Sequence, residues 1–485
     1  MRIPHTINKV TYDLYKPSLE SLNLKDEVGR QLRVEDYMWD VELFPTLAHL
    51  CLRILLDKFQ ERQYLNRLPC KDVDFLFEHL PTTLPMELTI PLIPDGIYWK
   101  RSYLARWTDF NEMLRMDRMN WKVAYIERHM QDFFENIQPE YYVDADFQHF
   151  WLLVRPYVKR LVIRQLLQEK LRAAEEDTRK LIHHIDFSLI LKHFHNVTEL
   201  DLIFGPRNIK ENFRFEYFEL SIDDIKHLAS GINCMPNMQI FRLHRSKLYD
   251  EHVQAIVQAF VKHNKTLLEM DFSHCKIGNK GAYYFAELIR KHPTLNKLIL
   301  CNNLITQEGI LSITFVLQST ETCPLKHLDL RLNPLGPEGF KTIFSCLIRN
   351  EVRPNELVVA DVGFTETEAI IFGDVILPLN KSLEYVDISN NACGIEGGKA
   401  IARGLERNTQ ILYMDYRACG FDGTSKYTIK KLLHRNNCLK HKRVFNEDDV
   451  EEEDEVEIKS LEDVTVVEDE LDEEEEEEQS NDDDY

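Results

Sequence analysis

After Trp151 the chain has no tryptophan, and before Gly205 it has only two glycines, Gly29 and Gly96. One compositional plan therefore does not run through all 485 residues, and that length already favours two structural units over one core. Basic residues almost vanish at the end. From Asn446 to Tyr485 there are 24 Asp and Glu against the single Lys459, so this segment carries −23 of a formal net charge of −22 and residues 1–445 sum to about +1. With no aromatic residue before Tyr485, the segment cannot bury enough apolar surface to offset its ordering entropy, and it reads as a disordered acidic tail over 446–485. No stretch reaches the roughly 18 apolar residues of a membrane helix, and the start, MRIPHTINKVTYDLYKPS, has no apolar core of signal-peptide length. The expectation is a soluble, intracellular protein. Ten cysteines occur without a CxxC pair or zinc-type spacing, which points to reduced, mostly buried thiols.

What is present is a repeat. The frame LxxLxLxxN/CxL starts at Met238, Leu267, Leu295, Leu325, Pro354, Leu383 and Ile411, with spacings of 28 to 30 residues. Its Asn/Cys slot holds Cys275, Asn303, Asn333, Asn391 and Cys419, with Ser246 and Val362 as weaker fillers. A short strand can point two apolar residues inward while the Asn or Cys bonds otherwise orphaned backbone groups in the turn. A helix then returns the chain, as in GPEGFKTIFSCLIRN, where Phe340, Ile343, Phe344 and Leu347 fall at helical spacing. One unit cannot bury its own face, so the units stack into an α/β leucine-rich solenoid with strands on the concave side. The long period resembles the ribonuclease-inhibitor-like subclass. Two weaker copies, on Val158, Leu161 and Ile163 and on Val197, Leu200 and Leu202, place the start of the solenoid near residue 156 and its span at 156–440. An insertion, Gly205 to Leu220, precedes Ser221 and Asp224, which read as a helix N-cap and its partner.

Residues 1–155 show no repeat and read as a helical, Trp-rich domain. Leu47, Leu50, Cys51, Ile54 and Leu55 would share one helical face, as would Val123, Ile126, Met130, Phe133 and Phe134. Between them, LPTTLPMELTIPLIPDG has four prolines and cannot form a long helix.

Catalytic constellations are missing. Gly336 and Gly339 belong to neither GxxxxGK[ST] nor GxGxxG and read as repeat punctuation. His183, His184, His193 and His195 lack HExxH or carboxylate spacing and read as surface histidines. No nucleophile–base arrangement stands out, so no enzyme activity, cofactor or metal is expected. Nucleic-acid binding is disfavoured by the lack of a basic stripe.

The solenoid instead offers a surface. The residue between the two strand apolars faces the concave side, and in successive copies it is Arg242, Asp271, Ile299, Asp329, Val358, Asp387 and Asp415. The expectation is an acidic column with Arg242, His244 and Arg245 at its N-terminal edge, and with Arg331 and Arg417 on the same face, forming a protein-binding site.

Four strings outside the generic repeat carry a resemblance: YWKRSYLARW (98–107), ERHMQDFFENI (127–137), NFRFEYFELS (212–221) and FRLHRSKL (241–248). Together they resemble the dynein regulatory complex subunit 5 family, also called the T-complex-associated testis-expressed protein 1 family, over about residues 35–435. The resemblance implies a non-enzymatic scaffold in the nexin-dynein regulatory complex of the axoneme of motile cilia and flagella, including sperm tails. Its implied partners are the other subunits and, through the complex, doublet microtubules, with no nucleic acid and no membrane. The implied location is the cytoskeleton of the cilium. The acidic tail departs from the family's pattern. Two other readings exist: an activator of a Ran-like small GTPase, whose families also join such repeats to an acidic end but begin in the repeats, and a histone-binding leucine-rich protein.

Overall fold

The structure, a computed structural model, describes residues 47–107, 120–168, 184–207, 215–319, 325–348 and 354–442. The acidic tail, His183 and residues 208–214 of the insertion lie outside the described residues. By contact the chain divides at Tyr125/Ile126, ahead of the boundary expected at 155.

The first unit contains α1 (Leu47–Asp57), α2 (Cys70–His79), α3 (Met86–Leu92), α4 (Ile97–Arg106) and the start of α5 (Trp121–Asn136). Its core is aromatic: Trp99, Tyr103 and Trp107 on α4 and its C-cap pack in tilted and edge-on geometry against Tyr125 and Trp121, with ring centroids 5.2–5.9 Å apart. The Lys122 ammonium donates to the carbonyls of Ile90 and Ile93, 2.6 and 2.9 Å, satisfying orphan groups at the end of α3. The expected face of α1 is corrected: Leu47, Leu50, Cys51 and Ile54 are exposed, and Leu52 is the buried residue. Apolar residues occupy both sides of α1, and it meets α2 with His49, off the expected face, against Phe75.

The second unit holds nine strands in one parallel sheet in chain order: β1 (Arg160–Ile163), β2 (Glu199–Leu202), β3 (Ile240–Leu243), β4 (Glu269–Asp271), β5 (Lys297–Ile299), β6 (His327–Asp329), β7 (Glu356–Val358), β8 (Tyr385–Asp387) and β9 (Tyr413–Asp415). Helices return the chain after each strand: α7 (Phe187–Leu191), α8 (Ile222–Ile232), α9 (Asp250–His263), α10 (Asn279–Lys291), α11 (Gln307–Ser319), α12 (Gly336–Ile348), α13 (Glu366–Ile371, prolonged by a wide turn over Phe372–Ile376), α14 (Gly394–Arg407) and α15 (Gly423–His441), with α6 (Asp144–Val154) before β1. The two weaker repeats are strands β1 and β2, and their Leu161, Ile163, Leu200 and Leu202 are fully buried. Phe340, Ile343, Phe344 and Leu347 are the buried stripe of α12. Ser221 and Asp224 form a reciprocal capping box at the start of α8.

The slot residues act as proposed. Asn333 Nδ2 donates to the carbonyls of Leu300 and Leu330, 2.8 and 2.9 Å, and its Oδ1 accepts from the Ile305 amide. Asn303 and Asn391 repeat this pattern, and the Cys275 and Cys419 thiols donate to Leu243 and Ile388 carbonyls. Burial pushes the Cys275 thiol up to about 12, which suits a hydrogen-bond donor and not a nucleophile. A second buried series, Asn264, Asn380 and Asn408, closes the helix-to-strand turns by accepting from two amides just ahead, as Asn380 does from Ser382 and Leu383.

One feature of the turns is invisible in composition. The residue just before each slot, Arg245, His274, Asn302, Leu332, Asp361, Asn390 and Ala418, has φ between 47° and 58°. From Arg245 to Asn390, each such amide donates to a carbonyl of the next repeat at 2.8–3.0 Å. The ladder bond stabilises a left-handed conformation that non-glycine residues otherwise disfavour by roughly 1 kcal/mol.

The N-terminal edge of the sheet is capped by α5. Glu127 accepts from the Lys159 and Arg160 amides at 2.9 and 2.7 Å, and Glu135 from the Arg164 amide at 2.8 Å. Phe133, Phe134 and Trp151 close the end of the core against Phe194. This packing explains why the contact boundary precedes residue 155. At the other end, Gly373 and Gly404 let the wide turn and α14 touch: a Cβ on Gly404 would sit 2.1 Å from the Gly373 carbonyl oxygen.

Candidate protein-docking face

Strand register puts Arg242, Asp271, Ile299, Asp329, Val358, Asp387 and Asp415 in one row across the sheet. Alternation along each strand places this row on the open face, away from the buried apolar pair. The residues two positions before and two after flank it.

In the N-terminal half this face neutralises itself. Arg242, its side chain 26 % exposed, donates to Glu199 at 2.6 Å and to Glu269 at 2.8 Å, and lies 3.9 Å from Asp201. His244 Nε2 meets Asp201 at 2.9 Å, Arg160 pairs with Glu199, and Lys297 with Glu269. The expected basic edge is therefore corrected to a mixed network, because β2 and β4 supply the carboxylates. Arg245 is exposed in its left-handed turn.

The acidic column is corrected as well. Asp329 is 1 % exposed: its carboxylate accepts the Arg331 amide and is covered by the Arg331 guanidinium at 2.6–3.2 Å. Asp415 and Arg417 repeat the arrangement at 2.6–3.0 Å. Burial pushes the Asp415 carboxyl up, but the Arg417 guanidinium and amide outweigh it and hold the group below its usual range. Asp271 and Asp387 cap Ser273 and Ser389 through amide and hydroxyl. The carboxylates are thus spent inside the sheet's own turns, and what protrudes is guanidinium. Arg331 is 47 % and Arg417 85 % exposed.

Sequence reasoning missed the neighbours of these arginines. Tyr385 and Tyr413 stack at 4.9 Å with planes 10° apart, and Tyr413 is 51 % exposed. Both occupy the second residue after the frame start, a coincidence of spacing that could have been read. Rigid tyrosines beside arginines held in place by aspartates are the side-chain types that anchor protein interfaces.

The histidines separate. His184 is buried, not on the surface, with Nδ1 3.1 Å from Asp224 and its ring edge on Phe204. His193 meets Asp144 at 3.3 Å, and His195 Nδ1 donates to the Cys234 carbonyl at 2.9 Å. Among the described residues, no three His, Cys, Asp or Glu side chains converge as metal ligands, and no helix is long and apolar enough to cross a membrane.

A family model described as Leucine Rich repeat matches residues 263–286, 323–344 and 379–402. The chain is 28 % identical over 268 residues to Dynein regulatory complex subunit 5 of Mus musculus, covering 52 % of this chain and 53 % of the relative. The subunit of that name from Chlamydomonas reinhardtii is 25 % identical over 44 % of this chain and 50 % of its own. Ribonuclease inhibitor of Mus musculus is 22 % identical over 41 % and 49 %. The chain spans about half the length of the curated relatives it matches. It is a leucine-rich-repeat protein, similar over about half its length to proteins named Dynein regulatory complex subunit 5.

Proposed function

We propose that the chain is a non-enzymatic scaffold subunit of the nexin-dynein regulatory complex in the axoneme of motile cilia and flagella, docking other subunits on the open face of its repeats and reaching doublet microtubules through them. The observation that carries this reading is the similarity to Dynein regulatory complex subunit 5 proteins, and the exposed arginines and tyrosines of the open face support it. The docking end is the C-terminal half, where Arg331 and Arg417 stand beside Tyr385 and Tyr413. That chemistry fits a partner surface bearing carboxylates around an apolar or aromatic side chain.

Localisation with extraction tests the reading. A tagged full chain in ciliated cells is expected along motile cilia and should resist detergent while leaving with high salt. A purely detergent-soluble cytosolic pool would overturn it.

A further inference from the structure

We propose that the C-terminal edge of the sheet is a docking site for the chain's own acidic segment, with Val464–Val467 laid along β9 as a tenth strand. β9 ends the strand order, and among the described residues no strand lies beyond it. Its inner side is committed to β8: the Tyr413 amide donates to the Glu384 carbonyl, and the Asp415 and Arg417 carbonyls accept from Ile388 and Asn390. The amide and carbonyl of one strand residue point the same way and alternate along the chain, so Met414 turns both outward. On that side the Leu412 carbonyl is taken by Asn437 Nδ2 at 2.8 Å. The opposite edge, by contrast, has Glu127 and Glu135 on its amides. A short edge without such a cover is a template for strand addition.

The edge opens into a concavity of about 660 Å³ between β9 and α15, with Leu412, Met414 and Leu433 as apolar lining, Lys430 and His434 as basic lining, and the Asp415–Arg417 pair on its wall. Three observations select the occupant. First, α15 ends at His441 on the rim of this concavity, and the chain from there to Val464 is long enough, at roughly 3.3 Å per residue, to span several times the length of β9. A tether of this kind sets an effective concentration on the order of millimolar. Second, the segment 446–485 carries −23, and the lining sets Arg417, Lys430, His434 and His441 against the one carboxylate of Asp415. Third, Val464, Thr465, Val466 and Val467 are four successive strand formers flanked by Glu462 and Asp463 on one side and Glu468 and Asp469 on the other. Val464 and Val466 would face the apolar lining together while the flanking carboxylates meet the basic groups. Tyr413 and Arg417 border both the concavity and the open face, so a docked segment covers one end of the docking face. Nothing in this inference depends on the axonemal reading.

Hydrogen exchange on the full chain tests it, comparing the unaltered protein with V464D/V466D at low and 0.5 M salt. The unaltered chain should protect both the peptide covering Leu412–Arg417 and the one covering Val464–Val467. The substitutions should lower protection of the first peptide at least tenfold, and salt should lower it partially. Equal exchange of Leu412–Arg417 in both proteins would overturn the proposal. So would protection that rises with protein concentration alongside a dimeric mass by light scattering, since a second copy would then be the occupant. Because the substitutions lie far from the repeats in sequence, thermal melting of the two proteins should coincide apart from the docking contribution. A collapse of cooperative unfolding in V464D/V466D would contradict a peripheral segment.

Discussion

The two halves of the open face carry similar residues and do different things with them. Around β2 to β5, arginine, lysine and histidine are opposed across strands by Glu199, Asp201 and Glu269, and charge is consumed between neighbouring repeats. Around β6 to β9, each arginine is paired with an aspartate two residues earlier in its own strand, which leaves its guanidinium free to project beside stacked tyrosines. Cross-strand pairing makes the N-terminal half part of the scaffold. Pairing within the strand makes the C-terminal half a surface.

Breaking the scaffold common to both halves should have the largest effect. Asn333→Ala strands the Leu300 and Leu330 carbonyls and the Ile305 amide in the core, and a loss of about 3 kcal/mol, read as a lowered thermal midpoint with faster exchange in α11 and α12, is expected. The comparison itself is sharpened by two arginines. Arg242→Ala leaves three carboxylates facing one another, partly shielded from water, and should cost about 1–2 kcal/mol. Arg417→Ala removes a guanidinium that is itself 85 % exposed but covers the buried Asp415 carboxylate, and should lower the melting midpoint by clearly less than Arg242→Ala does. Equal destabilisation by the two would erase the distinction between scaffold and surface.

A smaller difference should appear with pH. Burial raises the Glu127 carboxyl above its ordinary value, so its stabilising contribution is present below about pH 4.3 and is lost as pH rises through the folded value. Asp415 is held low, so its contribution is present above about pH 3.9 and is lost as pH falls through the folded value. With exchange corrected for its intrinsic pH dependence, mild acidification from pH 7 should therefore raise protection at β1 while leaving that at β9 unchanged, and only stronger acid should lower protection at β9.

Much of the fold was legible. The frame located all nine strands, the Asn/Cys slot located the buried ladder, and Ser221 with Asp224 located a helix start. The left-handed turn residues were not legible, because Arg245 and Leu332 have no intrinsic preference for that conformation and are held there by the next repeat's carbonyl. The row of open-face residues was placed by spacing alone. Its electrostatic character was misread, since an aspartate at an alternating polar position looks exposed until the residue two places on covers it, as Arg331 covers Asp329.

The most direct test measures binding of the full chain to a dynein regulatory complex preparation lacking it, for R331A/R417A against R160A/K297A. Both pairs remove two positive charges from the same face, one pair from each half. The account predicts a loss of about 100-fold or more for R331A/R417A and less than about threefold for R160A/K297A, the scale expected of anchoring and peripheral contacts. Equal losses, or a larger loss for R160A/K297A, would contradict it.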